Sequence, residues 1–184
     1  VIVSLQRWGS RDATGQKLMS FVKGMSAVDA KTFEISLNSP TGLMLLALGK
    51  PSSNVPFIMP KRIAEKPGGD QITEYIGSGP FVFKTDEWKP GDKAVYVKFD
   101  KYKPRADAPS GLAGGKIAKV DRVEWRAISD AQQAINALQK GEIDFIEAPS
   151  HDLLPTLKKD PNVTVFVSPQ AKNQYVFRPN TLHK

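Results

Sequence analysis

Apolar residues recur along the chain with changing periods, and each period predicts an element. Val1, Val3 and Leu5 alternate as in a strand, although the same residues also fit the first turn of a helix. "GSRDATG" (Gly9 to Gly15) reads as a polar loop. Leu18, Phe21 and Val22 stand at i, i+3 and i+4 and predict a short helix over residues 17–22. A turn at Asp29-Ala30-Lys31 then leads into a strand marked by Phe33, Ile35 and Leu37. Thr41 to Leu48 reads as a helix closed by Gly49. Residues 51–60 read as a loop with Phe57, Ile58 and Met59 as buried anchors. One helical turn follows over Lys61 to Glu65, before the "KPGGD" break.

The second half is more regular. Phe81 to Phe83 and Ala94 to Phe99 predict a hairpin around Pro90-Gly91. Residues 101–116 form a long Pro/Gly/Ala loop, a length usual in functional or mobile segments. From Val120 onward the pattern predicts βαβαβ. The first strand carries Val120, Val123, Trp125 and Ile128. The first helix has Ser129 and Gln132 as a capping box, Ala131, Ala134, Ile135 and Leu138 on one face, and Gly141 just past its end. Ile143 to Pro149 is the next strand. A helix with Leu153, Leu154 and Leu157 follows, capped by Ser150 or Asp152. Pro155 is tolerable only in a first turn, which favours Asp152. Val163 to Val167 is the last strand of the set. Strands joined through helices are normally parallel with right-handed crossovers, so the class is α/β.

Composition narrows the chemistry. The 184 residues include no cysteine and two histidines, His151 and His183, which excludes a thiolate nucleophile and leaves little for a metal site. The net charge of +7 admits nucleic acid or an anionic surface, but the lysines are scattered and often lie beside acids, as in Lys158-Lys159-Asp160. The apolar run Leu43 to Leu48 falls far short of the ~20 residues that span a bilayer. No secretory leader is visible, and the pattern starts and stops within elements, so a longer polypeptide is expected.

Local catalytic motifs fail one by one. "IGSGPF" (Ile76 to Phe81) has neither the Lys-Ser/Thr nor the helix that a phosphate loop needs. Ser78 leads into a strand rather than sitting on a strand-to-helix elbow. Glycines with unusual φ and a stiffening proline suit a bend into a sheet. His151 and Asp152 are neighbours on a helix start and do not face each other. Glu142, Asp144 and Glu147 read as a solvated strand entrance, and "GLAGGK" (Gly111 to Lys116) as a flexible loop. Trp8, Trp88 and Trp125 are packing anchors or pocket walls. The residues alone give an α/β chain, a ligand-binding lobe. The rivals are an α/β hydrolase-type enzyme with catalytic groups assembled from distant positions, and a basic nucleic-acid-binding domain.

The order of segments carries more. "VSLQRW", "VDAKTFEISLNSP", "IGSGPFVF", "YKPR", "VDRVEWRAISDAQQAINALQKGEIDFIEAP", "LKKDPNVTVFVSP" and a closing aromatic strand with Asn180 cover nearly the whole chain. In this order they resemble the peptide-type (family 5) extracytoplasmic solute-binding proteins of ABC importers, and the "SGLAGGK" insertion is similar to the dipeptide/oligopeptide subgroup. The resemblance implies an incomplete first lobe of the type II periplasmic binding fold, α/β with a mixed sheet. Residues 1–76 would be a smaller α+β accessory subdomain and residues 77–184 the sheet-containing part, with Gly77-Ser78-Gly79-Pro80 as the re-entry between them. A second lobe would lie outside this chain. The resemblance further implies a non-enzymatic peptide or small-solute binder, periplasmic or extracytoplasmic, that delivers to a membrane permease. It implies no cofactor, no metal, no nucleic acid and no direct membrane insertion. Ligand contacts are expected at Arg11, at Tyr102 and Arg105 of "YKPR", and at Gln174 and Tyr175. Arg105 would pair with a carboxylate, and the two tyrosines would wall the cleft.

Overall fold

The structure is a computed structural model, and it describes residues 1–50, 53–111 and 113–167. The chain divides into two compact units after Trp125. In the first unit the opening residues are helical. α1 (Ile2–Gly9) buries Ser4, Leu5, Trp8 and Gly9, which share one face at helical spacing. That spacing overrides the strand-like alternation of Val1, Val3 and Leu5. The expected polar loop shrinks to a tight connection, because Asp12 caps α2 (Ala13–Met19). Its Oδ1 accepts from the Gly15 N–H at 2.9 Å, and its Oδ2 accepts from Lys50 Nζ at 2.8 Å. α1 and α2 meet at glycine. A methyl group on Gly15 would stand 3.0 Å from Gly9 Cα and 3.2 Å from the Trp8 ring.

The helix foreseen over residues 17–22 stops at Met19, and Val22 opens a strand instead. β1 (Val22–Ala27) and β2 (Phe33–Leu37) form an antiparallel hairpin with Met25 opposite Ile35. The predicted turn joins them: Asp29 Oδ1 accepts from the N–H groups of Lys31 and Thr32 at 2.7 and 2.8 Å. α3 (Leu43–Leu48) follows, and the Gly49 N–H donates to the Leu45 carbonyl at 2.9 Å. The core here is Trp8, Leu18 and Ala47, ringed by Met19, Leu43, Met44 and Leu48. Two expected anchors fail: Phe57 and Ile58 are exposed. The loop is held by its backbone instead, with Ser4 Oγ accepting from the Met59 N–H at 3.2 Å and donating to the Met59 carbonyl at 3.3 Å. α4 (Lys61–Ala64) buries Ile63 and Ala64. The "KPGGD" break is tied down by Arg7, whose guanidinium donates to the carbonyls of Lys66, Pro67 and Asp70.

The bend at Gly77 to Pro80 delivers the chain to β3 (Phe81–Phe83), as expected, but without unusual glycine geometry: neither Gly77 nor Gly79 has positive φ. β3 pairs antiparallel with β4 (Lys93–Lys98), Phe83 opposite Tyr96 and Phe81 opposite Lys98. A 3-10 turn (Thr85–Glu87) and the Pro90-Gly91 turn connect them. β5 (Arg122–Arg126) completes a three-stranded sheet in the order β3-β4-β5. The 101–116 loop folds tightly on itself. The Gly115 N–H donates to the Asp107 carbonyl at 2.9 Å and the Ala113 N–H to the Ser110 carbonyl at 2.8 Å.

In the second unit, α5 (Ala131–Gln139) is capped by Asp130, not Ser129: Oδ1 of Asp130 accepts from the Gln133 N–H at 2.7 Å. Asp outcompetes the neighbouring serine by bringing a full charge to the helix N-terminus. The buried residues of α5 are Ile135 and Ala137, with Ala134 and Leu138 half-buried and Ala131 exposed. Gly141 takes the expected left-handed conformation at φ 72°. A 3-10 turn (His151–Leu153) runs into α6 (Leu154–Lys159). Pro155 is in the first turn, as required, but Asp152 therefore lies in the preceding turn and is not the cap. Asp160 joins the two helix ends, accepting from Gln139 Nε2 at 3.0 Å and from the Asn162 N–H at 2.9 Å. Ile143 to Pro149 and Val163 to Val167 are not strands. Alternation marks a segment fit for pairing, but a ladder needs a partner, and neither segment has one among the described residues.

Candidate functional site

The three expected contact residues that are described, Arg11, Tyr102 and Arg105, fall on two loops. Arg11 is exposed and runs beside the 66–70 loop, where a methyl group on Gly68 would stand 3.4 Å from its Cγ and Cδ. Tyr102 is half-buried in the turn after β4, its N–H donating to the Phe99 carbonyl at 2.9 Å. Arg105 is exposed, three residues further on, and its Nε donates to Asp107 Oδ2 at 2.8 Å. Its Nη groups take no acceptor among the described residues. Tyr102 and Arg105 thus share one loop, while no hydrogen bond or ion pair joins either to Arg11 among the described residues. Gln174 and Tyr175 lie outside the described residues.

The sheet carries a second feature. Phe81 and Phe83 on β3 and Ala94 and Tyr96 on β4 point to one face of the antiparallel pair. Tyr75, before the bend, and Trp88, after the 3-10 turn, close over that face. Together these six residues line a cavity of about 370 Å³. Phe83 is its hub. Its ring centroid lies 5.1 Å from Tyr75 at 83°, 5.8 Å from Trp88 at 63° and 5.3 Å from Tyr96 at 44°. Tyr75 and Trp88 meet edge to face at 6.2 Å. These are the offset and edge-on arrangements that the ring quadrupole favours. Among the described residues, no charged one lines the cavity. Trp88, an anchor or pocket wall by its sequence pattern, is a wall. The grouping itself was missed, although Phe81, Phe83, Ala94 and Tyr96 could have been found by pairing the two predicted strands in register.

Several charges near this sheet are partnered. Arg122 on β5 donates to both Glu87 carboxylate oxygens, at 3.2 and 2.6 Å, and to Glu124 Oε1. The Arg122 hydrogen bonds hold the Glu87 carboxyl below its ordinary range, and Glu87 followed by Glu124 raises the guanidinium in turn. The Lys84 hydrogen bond lowers Asp86 in the same way. Asp12 is lowered first by its hydrogen bond from Lys50 and then by the Gly15 N–H. Ion pairs of this kind lock carboxylates in the charged form. They do not produce the raised carboxyl pKa of a general acid.

The remaining motifs hold no assembled chemistry. Ser78 is exposed in a bend. His151 and Asp152 are exposed and share no hydrogen bond. Glu142, Asp144 and Glu147 are all exposed, in keeping with a solvated stretch. In the 111–116 loop the Ala113 and Gly115 amides are spent on the loop's own carbonyls, so they form no anion cradle. Among the described residues, no cluster of three or more His, Asp or Glu side chains could hold a metal ion, and no helix is long and apolar enough to cross a membrane.

Known proteins supply the context for this arrangement. The family model of the bacterial extracellular solute-binding proteins, family 5 (middle part), matches residues 1–184. A probable peptide ABC transporter periplasmic-binding protein of Sinorhizobium fredii is 41% identical over 183 residues, covering 98% of this chain and 34% of that protein. A glutathione-binding protein of Shigella flexneri is 26% identical over 150 residues, covering 82% of this chain and 26% of that protein. Among solved structures, the ABC transporter-associated periplasmic binding protein DppA from Helicobacter pylori, in complex with the peptide STSA, superposes with a TM-score of 0.66. It is 24% identical and covers 87% of this chain and 32% of that one. The fold is therefore that of a periplasmic binding protein. The chain spans about a third or less of the length of these relatives.

Proposed function

Given that the chain belongs to family 5 of the bacterial extracellular solute-binding proteins, we propose that it forms part of the first lobe of a two-lobe protein that grips a peptide or similar small solute. The observation that carries this reading is the 41% identity, across 98% of the chain, to a relative whose name assigns it to peptide import. Residues 1–76 serve as the accessory subdomain and residues 77–184 as the sheet-bearing part. The protein acts outside the cytoplasm without chemical turnover and hands its solute to the permease of an ABC importer. Capture proceeds by closure of two lobes, with transport powered by separate ATPases.

Arg105 fits a role in the cleft. It is exposed, one edge of its guanidinium is steadied by Asp107, and its Nη donors remain available for a carboxylate. Tyr102, on the same loop, offers a ring wall. Arg11, Gln174 and Tyr175 complete the proposed contacts. Calorimetry of the full-length protein against a mixed peptide library tests the reading. Binding is expected, and Arg105→Ala should weaken it by about tenfold or more, the worth of a charge-assisted hydrogen bond. Absence of binding to any peptide, together with turnover in an esterase, peptidase or phosphatase screen that Ser78→Ala or His151→Ala abolishes, would overturn it.

A further inference from the structure

The aromatic cavity on the β3–β4 face is not accounted for by peptide capture, and its chemistry argues for a different occupant. Five rings and the Ala94 methyl line an open space of about 370 Å³. Tyr75 is still 46% exposed and Trp88 38%. The polar atoms at hand are two phenol hydroxyls and one indole N–H, and no charged side chain among the described residues lines the space. A peptide carries two charged ends, and burying either there would leave it without a partner, which is costly. An apolar side chain pays no such penalty, and each one buried removes aromatic surface from water.

An open apolar patch of this kind on a soluble protein marks a contact surface. The length of the related proteins indicates where the contact comes from. The chain spans 34% of the Sinorhizobium relative and 32% of the Helicobacter structure, so most of a comparable polypeptide lies outside these residues. We infer that the cavity formed by Tyr75, Phe81, Phe83, Trp88, Ala94 and Tyr96 is an internal docking seat, filled permanently by apolar side chains from a part of the same polypeptide outside residues 1–184. The seat fastens the β3–β4 hairpin to the rest of the protein and is not a solute subsite. This rests on the family reading only in taking the protein to be longer than this chain.

Thiol labelling of the full-length protein, freed of any other cysteine, tests it. Ala94→Cys places a small thiol in the cavity wall. Asp121→Cys serves as the open reference, since the Asp121 side chain is 93% exposed. The Ala94→Cys thiol should react slower than the reference by about 100-fold or more, as expected of a site that opens only by local unfolding. The slowing should be the same with and without peptide and at every protein concentration. Equal rates at both positions would overturn the inference. So would protection that appears only with peptide, which would make the cavity a solute subsite. So would protection that grows with protein concentration, which would make it a face between copies. Where Ala94→Cys does not fold, acrylamide quenching of the wild type minus that of Trp88→Phe isolates Trp88, with the same three contrary outcomes. Failure of peptide binding leaves these rates unaffected, so the two proposals fail separately.

Discussion

Phe83→Leu should destabilise the protein well beyond what loss of apolar area predicts, because Phe83 is the hub of the ring cluster. It meets Tyr75 at 5.1 Å, Tyr96 at 5.3 Å and Trp88 at 5.8 Å, all at tilted or edge-on angles. Each such pair is worth about 0.5–1.5 kcal/mol beyond burial. Leucine keeps much of the apolar bulk but none of the quadrupole. Three contacts sum to about 1.5–4.5 kcal/mol, but they share one ring and cannot be additive, so about 1.5–3 kcal/mol is expected. Phe99→Leu is the matched control. Phe99 is 42% exposed and has no ring partner among the described residues, so its loss should stay within about 0.5 kcal/mol. Urea unfolding followed by far-UV circular dichroism measures both, provided the two variants share the wild-type m-value. Equal losses for Phe83→Leu and Phe99→Leu would refute the reasoning: the ring geometry would then contribute nothing beyond apolar bulk.

Other expectations follow from the helical part. Gly15→Ala improves helix propensity by about 1 kcal/mol, but the new methyl would stand 3.0 Å from Gly9 Cα and 3.2 Å from the Trp8 ring. Overpacking costs about 1–3 kcal/mol, so the net effect in chemical denaturation should be a loss; a gain would show that the α1–α2 contact is loose. Leu18→Ala removes a fully buried core side chain and should cost about 2–5 kcal/mol, whereas Leu45→Ala, at 83% exposure, should stay within about 0.5 kcal/mol unless that surface is covered in the full-length protein. The Asp12 carboxyl is lowered from its ordinary 3.8 by Lys50 and the Gly15 N–H. A carboxyl lowered in the folded state stabilises at neutral pH, and that contribution is lost as pH falls from about 4 through the folded value. Asp12→Asn keeps a good cap but not the ion pair. It should therefore be less stable than wild type at pH 7 and close the gap in acid; a pH-independent difference in thermal melting would contradict the ion-pair account.

Much of the scaffold was legible because it rests on local rules. The Asp29 turn, the β3–β4 hairpin, the Gly141 cap and the first-turn position of Pro155 all follow from one residue's chemistry and its near neighbours. The failures share a cause as well. Val1, Val3 and Leu5 fit two periods, and burial of Leu5 with Trp8 decided for helix. Phe57 and Ile58 look like anchors by type, yet the Ser4 hydroxyl holds that loop through the backbone of Met59. Ile143 to Pro149 has the alternation of a strand without a partner to pair with among the described residues. Of the proposed contacts, Tyr102 and Arg105 share a loop because "YKPR" is contiguous. The aromatic seat was not readable as a whole, since Tyr75 and Trp88 reach it from outside the two strands.

Gripping and transforming a solute differ most directly in what becomes of the solute. Native mass spectrometry of the full-length protein, incubated for hours with a defined peptide mixture, reads both binding and fate at once. The account predicts one peptide held per protein molecule and every peptide recovered at its original mass. Peptides recovered cleaved or modified, at a rate that scales with protein and exceeds one per molecule, would contradict it.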